Sequence, residues 1–371
     1  MEGIQRHISG SLIRHLAAEV GFQIAGLAAA SPSPDFGRYK SWAERGLAGE
    51  MGYLADHRAD LRGNLEELLP GVRSVISVGM MYNGPEPKST EFSDAERGWI
   101  ARYAWSSDYH GVIRAKLQAL AAKLLQIEDF RWRACVDTAP VPERSFARAA
   151  GLGWIGRNTC LISQQHGSFF FLGELLTTLE LEPDTPAPSR CGTCTRCIQA
   201  CPTDALIPTG QGEYELDARR CISYFTIELR SEIPVDFRAK LGNHVFGCDI
   251  CQDVCPWNRK AERSAPPALE NLFAPPLERL AGLTETQFKQ MFRDTPVNRA
   301  RYTAFLRNVA VAMGNSGLPQ FESALRKLEA SPYPLIAEHA RWAIARLTDR
   351  PDSPPVASPD GPTPPDSFRR G

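Results

Sequence analysis

The sequence lacks the features of a membrane-spanning or exported protein. No apolar run approaches the ~18 residues that a membrane-spanning helix needs. The first residues contain neither an apolar signal core nor a twin-arginine pair, so we expect a cytoplasmic protein without a membrane anchor. The sequence also has no excess of either charge, since it contains 42 Lys and Arg and 43 Asp and Glu. This balance excludes a uniformly basic nucleic-acid binder but not a local basic patch.

Cysteine, in contrast, is abundant, with ten residues in the chain. A cytoplasmic protein keeps its thiols reduced, so a disulfide framework is not expected. Eight of the ten lie between Cys191 and Cys255, which indicates a metal site. The other two, Cys135 and Cys160, lie in apolar surroundings and are interpreted as small buried hydrophobic residues.

The spacing of the eight cysteines is typical of two [4Fe–4S] clusters. The segment from Cys191 to Pro202 follows the bacterial ferredoxin pattern C-x₂-C-x₂-C-x₃-C-P, in which the fourth cysteine binds the other cluster. The first predicted set of ligands is Cys191, Cys194, Cys197 and Cys255. The second is Cys201, Cys221, Cys248 and Cys251. Structural zinc is the alternative, because C-x₂-C pairs also bind zinc, but three cysteines at successive two-residue gaps favour iron–sulfur.

The pattern of apolar residues predicts an α+β protein. Helices are predicted over Ser11–Leu27 and Val112–Leu125, and strands over Val72–Val78, Trp132–Val136 and Ser168–Leu172. A Pro-rich linker, Glu182–Ser189, precedes the cysteines, and further helices are predicted over 301–313, 319–328 and 335–347, the first closed by Gly314-Asn315. The predicted domains are 1–182, 183–262 and 263–349, each with its own core, followed by a disordered tail over 350–371.

Upstream of the cysteines, Asp137 is the strongest candidate for a catalytic residue. It follows a predicted strand that ends at Val136, where an acidic side chain can face a cleft. Partial desolvation there would raise its pKa and let it donate a proton at neutral pH. The alternative is a turn or cap aspartate before Thr138-Ala139-Pro140. Three nearby glycines could let backbone approach a large flat ligand, although they do not form a phosphate-binding motif: Gly151, Gly153 and Gly156.

Four segments together closely resemble epoxyqueuosine reductases: Asp137–Asn158, Gly167–Glu174, Arg220–Tyr224 and Phe246–Trp257. The resemblance extends from roughly residue 10 to 348. It implies reduction of epoxyqueuosine, at the wobble position of tRNA, to queuosine, the last step of queuosine biosynthesis. It also implies cobalamin and two [4Fe–4S] clusters as cofactors. The implied fold is an N-terminal α/β cobalamin-binding domain related to reductive dehalogenases, a ferredoxin-like module and a HEAT-like helical C-terminal domain.

The same resemblance implies roles for individual residues. Asp137 corresponds to the proton donor. Six other positions correspond to cobalamin contacts: Arg62, Ala101, Leu161, Leu172, Ser223 and Asp249. Without the resemblance, the two leucines would be interpreted as core residues. The Asp-x-His-x-x-Gly pattern of enzymes that supply a histidine to cobalt begins at Asp108 and His110 but has Ile113 in place of glycine, so we expect base-off cobalamin.

A basic segment near the C-terminus is the candidate tRNA contact. It contains four arginines and one acid, Asp294, interleaved with Asn298, Tyr302, Phe305 and Asn308. Arginines can bind phosphates and exposed aromatic rings can stack on unpaired bases. The arginines are Arg293, Arg299, Arg301 and Arg307. A solvated helix face is the alternative, but the resemblance implies that this helical part binds the anticodon stem-loop, with Arg299, Arg301 and Arg307 as the expected contacts.

Two other functions remain open at this point, a reductive dehalogenase and a non-catalytic electron carrier. The missing twin-arginine pair and the basic C-terminal helices disfavour the first. The long segments on both sides of the cysteines disfavour the second, because an electron carrier needs neither a cobalamin site nor a tRNA site. We further expect a monomer that takes electrons from a low-potential donor.

Overall fold

The computed structural model of the chain describes residues 8–348, apart from 211, 260, 262, 266 and 267. The tail predicted over 350–371 lies outside the described residues. The structure mixes helices and sheets, which confirms the α+β class. The strands are β1 (Ile24–Ala29), β2 (Ser74–Met81), β3 (Trp99–Ile100), β4 (Trp132–Cys135), β5 (Trp154–Ile155), β6 (Leu161–Ile162), β7 (Phe170–Thr177), β8 (Leu206–Gly210), β9 (Glu213–Leu216) and β10 (His244–Phe246).

Helices cover both sides of the sheet and make up most of the C-terminal third. The α-helices are α1 (Gly10–Glu19), α2 (Phe36–Glu44), α3 (Arg58–Leu61), α4 (Tyr109–Leu125), α5 (Glu143–Ala149), α6 (Arg196–Gln199), α7 (Val235–Arg238), α8 (Ile250–Asp253), α9 (Leu277–Ala281), α10 (Glu285–Met291), α11 (Tyr302–Ser316), α12 (Glu322–Glu329) and α13 (Pro334–Thr348). A π-helix spans Tyr224–Glu228. Short 3₁₀ helices lie at Gly52–Leu54, Leu65–Glu67, Ser89–Glu91, Arg102–Ala104, Ala218–Arg220, Ala239–Leu241, Pro256–Asn258, Pro296–Ala300 and Pro319–Phe321.

The main sheet is antiparallel, with the strand order β1-β2-β7-β4. Alternate residues of a strand face opposite sides, and both sides are apolar here. On one side, Phe171 and Leu175 of β7 pack with Leu117 of α4. On the other, Leu176 packs with Phe146 of α5. The sheet is therefore buried between α4 and α5. Strand β4 ends at Cys135, and the chain becomes exposed two residues later, at Asp137.

Two predicted helices have different bounds in the structure. The helix predicted over Ser11–Leu27 ends at Glu19, and residues 24–29 form β1 instead. The break comes at Gly21, which has φ +90°, a conformation that ends a helix and suits glycine. The helix predicted over Val112–Leu125 is confirmed and begins earlier, because the Asp108 side chain caps it by accepting the backbone N–H of His110 at 3.0 Å.

The predicted helix stop at Gly314-Asn315 is wrong. Helix α11 continues to Ser316 and ends at Gly317, whose φ of +71° is left-handed. Gly314 lies inside the helix for a packing reason, since a Cβ at this position would come within 2.8 Å of Ala343 on α13. The glycine thus permits the close contact between α11 and α13.

One hydrophobic cluster contains residues from all three predicted domain ranges. Trp99 and Ile100 of β3 and Val245 of β10 pack in the same cluster as Phe305 of α11 and Ile344 of α13. The two short strands β3 and β10 pair in parallel, which joins the N-terminal range to the cysteine range. The C-terminal helices, which supply most of the buried residues of this cluster, therefore pack on the body of the protein, as expected. Within the described part of the chain, none of the helices combines the length and apolar character required to traverse a bilayer.

Candidate active site

Two adjoining cavities open where β4 ends. Their volumes are about 1040 and 520 Å³. The residues that line both are Met51, Leu54, Arg62, Asp137, Leu216 and Ala218. Because the two cavities share these walls, they are neighbours, and Asp137 is one of the residues that border both.

The end of strand β4 places Asp137 in this space, as the sequence predicts. Its backbone has φ +44°, which is uncommon for a residue other than glycine. The backbone N–H of Asp137 is held by the carboxylate of Glu143, the first residue of α5. Its own carboxylate opens into the cavities, with 55% of the side chain exposed. Asp137 is thus available to a bound substrate while its backbone is fixed.

A histidine connects Asp137 to a second carboxylate. His110 Nε2 lies 3.0 Å from Asp137 Oδ2, and His110 Nδ1 lies 2.6 Å from Asp108 Oδ1. The hydrogen bond to Asp137 raises the pKa of His110 above its ordinary value; burial opposes this, and Asp108 adds to it. The imidazole is therefore held between two acceptors that favour its protonated form. In the sequence His110 stood out only as part of an incomplete cobalt-ligand pattern, and its proximity to Asp137 had no sequence signal.

The expected rise in the pKa of Asp137 is not found. The surrounding protein removes water and tends to raise this pKa, but hydrogen bonds from His110 and Tyr109, with the charge of Arg299, hold it below its ordinary value. The prediction considered desolvation and missed the partners, which come from α4 and from the C-terminal part of the chain. At rest the proton of this pair consequently belongs to His110, and Asp137 is its anionic acceptor.

Part of the wall of the larger cavity is formed by the cysteine region. Cys221 and Ser223 line it, and so do Tyr224, Ile227 and Glu228 from the π-helix. π-Helices are rare and are often found at functional sites, because the wider turn re-aims side chains. A cluster bound at Cys221 would therefore border the same space as Asp137.

The eight cysteines form two spatial groups. Cys197 lies among three other thiols, and its pKa is raised to about 11 by burial and by its neighbours Cys255, Cys191 and Cys194. The pKa of Cys248 is likewise raised by burial and by its neighbours Cys221 and Cys201. Cys251 lies beside Cys248 and Cys221. These groups coincide with the two predicted ligand sets, whose assignment to clusters stays a prediction.

The two remaining cysteines differ from each other. Cys135 is 1% exposed in the core under α5, which confirms the interpretation as a small buried hydrophobic residue. Cys160 is only half-buried, and the neighbouring Cys251 lowers the pKa of its thiol. The interpretation of Cys160 as a plain core residue is therefore wrong, because the fold brings it against a predicted cluster ligand.

The predicted cobalamin contacts are only partly brought together. Arg62, Ser223 and Asp137 line the larger cavity. Four others line neither cavity: Ala101, Leu161, Leu172 and Asp249. Asp249 is buried and accepts hydrogen bonds from Trp99 Nε1 at 3.1 Å and from the backbone N–H of Arg102 at 2.8 Å. Its side chain therefore has a structural task.

The three glycines serve packing between protein segments. A Cβ on Gly153 would lie 2.1 Å from the carbonyl oxygen of Ile162, and one on Gly156 would lie 2.4 Å from Ile162 Cδ1. Gly151 has φ +73°. The interpretation that these glycines approach a ligand is therefore wrong for Gly153 and Gly156, which allow close contact with Ile162 in the β5–β6 hairpin.

The candidate tRNA arginines have three different environments. Arg299 lines the larger cavity and pairs with Glu228 at 3.1 Å, while Arg301 is exposed at the start of α11. Arg307 is fully buried and donates to the carbonyl oxygens of Leu229 at 3.0 Å and Ser231 at 2.6 Å. The prediction that Arg307 contacts tRNA is wrong, because charge in a sequence does not reveal which way a helical side chain points.

The aromatic and amide side chains of this segment also contact the protein interior. Phe305 and Asn308 are both 0% exposed, and the Tyr302 hydroxyl donates to the carbonyl oxygen of Leu283 at 3.0 Å. Stacking of Phe305 on a base is therefore excluded in this structure.

Two segments of the chain match known protein families. A family model described as 4Fe-4S double cluster binding domain matches residues 190–258. A second model, described as epoxyqueuosine reductase QueG, DUF1730, matches residues 62–138. An epoxyqueuosine reductase from Xanthomonas campestris pv. campestris is 43% identical over 343 residues, which covers 90% of this chain and 95% of the relative. The chain belongs to the epoxyqueuosine reductase family.

Solved structures agree with this assignment. A crystal structure of epoxyqueuosine reductase with a tRNA-Tyr epoxyqueuosine-modified tRNA stem loop has a TM-score of 0.83 and 29% identity, and covers 91% of this chain and 90% of its own. The enzyme from Bacillus subtilis, with its catalytic aspartate loop swung out of the active site, has a TM-score of 0.80 and 29% identity over 91% of this chain and 90% of its own.

Membership of the epoxyqueuosine reductase family decides between the functions left open by the sequence. The chain is an oxidoreductase that reduces epoxyqueuosine in tRNA, with cobalamin and two [4Fe–4S] clusters as its cofactors. The reductive dehalogenase and the simple electron carrier are set aside.

Proposed function

We propose that this epoxyqueuosine reductase forms queuosine at the wobble position of tRNA, with Asp137 as the residue that delivers a proton to the leaving oxygen. The observation that carries the proposal is the position of Asp137 at the border of two cavities, the larger of which is also lined by the predicted cluster ligand Cys221. A proton donor and an electron source thereby border one space.

The residues around this space fit cobalamin. A corrin is large and flat and carries amide side chains, and the two neighbouring cavities offer apolar walls, such as Met51 and Leu54, beside polar groups, such as Arg62 and Ser223. Bound and reduced cobalamin would supply the low-valent cobalt chemistry that reduces the modified ring. Arg62, Ser223 and Asp137 would hold it through side chains. Ala101, Leu161, Leu172 and Asp249 would act through their backbone or by shaping the surrounding protein.

We propose that the cobalamin is base-off and receives no imidazole from the protein. His110 is the one histidine among the described residues that line the two cavities. Both of its ring nitrogens are already engaged, by Asp108 and Asp137. The cob(II)alamin paramagnetic resonance spectrum should therefore lack nitrogen splitting from an axial imidazole.

The overall reaction requires two protons. Conversion of an epoxide to an alkene breaks two carbon–oxygen bonds and consumes two electrons and two protons, with the oxygen leaving as water. Asp137 can carry one proton at a time. His110 Nε2 is placed to transfer its proton to Asp137 Oδ2 as the oxygen accepts one, so that Asp108, His110 and Asp137 act as a relay.

The clusters and the tRNA complete the proposal. Cys191, Cys194, Cys197 and Cys255 would bind one cluster, and Cys201, Cys221, Cys248 and Cys251 the other. Arg299 at the cavity and exposed Arg301 support tRNA contact on this side, where the modified nucleotide must enter to reach Asp137. In this scheme range 1–182 carries cobalamin, 183–262 the clusters, and 263–349 a HEAT-like tRNA-binding part.

The test is turnover of an epoxyqueuosine-modified tRNA stem-loop by anaerobic, cobalamin-loaded protein with a low-potential reductant. Mass spectrometry of the nucleosides should show queuosine. Asp137→Asn keeps the shape of the side chain but cannot donate a carboxyl proton, so kcat should fall by about two to four orders of magnitude. Cobalamin binding, iron content and tRNA affinity should be retained. Loss of cobalamin binding together with activity would assign Asp137 a structural role, and near-normal turnover would remove it from the mechanism.

A further inference from the structure

A buried acid lies behind the Asp137 segment and has no part in the mechanism described so far. Glu174 of β7 is 0% exposed, and neither of its carboxyl oxygens has a hydrogen-bond donor among the described residues. It belongs to the side of the sheet that α5 covers, where its neighbours on alternate positions, Leu172 and Leu176, are apolar. An acid at this position breaks an otherwise apolar row.

The physical state of Glu174 follows from this burial. An ionised carboxylate without donors is strongly disfavoured in an apolar core. Burial and the neighbouring Glu143 raise the pKa of Glu174 well above its ordinary value, so it carries a proton. A buried carboxylic acid needs an acceptor for that proton. Glu143 is the acidic neighbour that can accept it.

Glu143 in turn holds the backbone of Asp137. It is the first residue of α5, lines the smaller cavity and accepts the N–H of Asp137. The left-handed φ of +44° at Asp137 persists only where the surroundings fix it. The sheet supplies the fixed point, because Glu174 pairs with Cys135, two residues before Asp137. A continuous series of contacts therefore runs from the sheet core to the candidate proton donor.

We propose that Glu143 is a positioning residue for Asp137 and that the proton of Glu174 locks Glu143 in place. This inference rests on the proposed role of Asp137 as proton donor. Efficient proton transfer requires the donor to be held near its productive geometry, and a displacement of about 1 Å can cost on the order of 100-fold in rate. Glu143 and Glu174 supply that constraint from behind the segment, without contacting the reacting atoms.

The test compares four variants of the cobalamin- and cluster-loaded protein. Glu143→Ala removes the acceptor for the Asp137 N–H, and kcat should fall by ~100-fold with KM for the tRNA stem-loop unchanged. Glu143→Gln keeps an acceptor oxygen and should stay within ~10-fold of wild type. Glu174→Leu restores the apolar row but removes the proton that locks Glu143, so kcat should fall by ~10-fold, whereas Glu174→Gln keeps a donor and should be nearly normal.

Hydrogen exchange gives a readout independent of activity. The amides of residues 137–142 should exchange faster in Glu143→Ala and in Glu174→Leu than in wild type, while the rest of the sheet is unchanged. Ser77→Ala is the matched control, since Ser77 is buried opposite Glu174 on β2 and its hydroxyl also has no partner among the described residues. This variant should match wild type in kcat and exchange.

Two results would overturn the inference. One is normal turnover and exchange in Glu174→Leu, which is expected to fold even if Glu143→Ala does not. The other is equal impairment of Glu143→Gln and Glu143→Ala, which would indicate that Glu143 only supports the fold. Failure of wild-type protein to reduce epoxyqueuosine would instead contradict the proposed function. Normal wild-type turnover combined with normal variants would contradict the positioning role alone.

Discussion

At the scale of single residues, the site depends on how proton-carrying groups are paired. Asp137 alone would be an ordinary acid at a strand end. Beside His110 its pKa is lowered while that of His110 is raised, so the proton is stored on the imidazole. Two different neighbours therefore act on Asp137, since His110 forms a hydrogen bond with its carboxylate and Glu143 accepts one from its backbone N–H.

The pairing predicts how turnover depends on pH. His110 has a raised pKa, so its protonated form is fully present below the ordinary value of 6.5 and is lost as pH rises through the raised value. Single-turnover rates should fall on the alkaline side accordingly. His110→Gln removes the group that holds the proton, so the single-turnover rate should drop by roughly 10² to 10⁴. The alkaline fall of the pH–rate profile should also change. An unchanged pH profile in His110→Gln would exclude the relay. His15→Gln, on the exposed surface of α1, is the control.

At the scale of secondary-structure elements, local sequence determines some features and packing determines others, as the cysteine region and the C-terminal helices show. Tight spacing keeps Cys191, Cys194 and Cys197 together, whereas Cys255, far along the chain, joins them only through the fold. Helix length is decided by a partner, since α11 passes through Gly314 to pack on α13.

The cysteine groups predict a selective loss of iron. Anaerobic wild-type protein should contain about eight iron atoms, and Cys221→Ser should lose about four of them, since each cluster has its own ligand set. Cys135→Ser should keep all of them, because Cys135 lies in the core under α5. Iron analysis with paramagnetic resonance of the reduced protein measures both. Stoichiometric zinc in place of iron would contradict the cluster assignment.

Two helical glycines make a matched pair for stability. Gly111 in α4 has open space where a Cβ would lie, so Gly111→Ala should stabilise the protein by up to ~1 kcal/mol. Gly314→Ala gains the same helical preference but places a Cβ within 2.8 Å of Ala343, so it should destabilise. Thermal unfolding midpoints of the cluster-loaded variants should move in opposite directions. A rise in both would show that α11 and α13 can separate at little cost.

At the scale of the whole molecule, one core unites segments far apart in sequence. Trp99, Val245 and Phe305 pack together, although they come from the three ranges assigned to cobalamin, clusters and tRNA. The larger cavity has the same mixed origin, since Asp137, Cys221 and Arg299 all line it. The predicted cluster ligand, the candidate proton donor and the candidate tRNA contact are thus held around one cavity by packing between the three ranges.

This arrangement predicts which arginines act on tRNA. Arg299→Ala with Arg301→Ala should weaken stem-loop binding and lower its dependence on salt by about one to two counterions, because phosphate contacts release ions. Arg326→Ala is the control, since Arg326 is exposed on α12 and pairs within its own helix with Glu322 and Glu329. Arg307→Ala should chiefly lower thermal stability, because it leaves buried carbonyl groups unpaired. Unchanged affinity in the double variant would place the tRNA on another surface.

The sequence by itself determined what depends on short-range spacing. Cluster chemistry follows from cysteines two or three residues apart, and the placement of Asp137 follows from the strand before it. The main strands and α4 follow from their apolar periodicity. These signals are local, since the residues that create them are also the residues that form the element.

Only the tertiary structure decided which distant groups meet. His110 lies 27 residues from Asp137 in sequence and 3.0 Å from it in space. That contact reverses the expected shift in the pKa of Asp137. The burial of Arg307, the contact of Cys160 with Cys251 and the pairing of Glu143 with Glu174 likewise come from packing between separate elements. The physical reason is that charge, pKa and exposure depend on all surrounding atoms, most of which come from other parts of the chain.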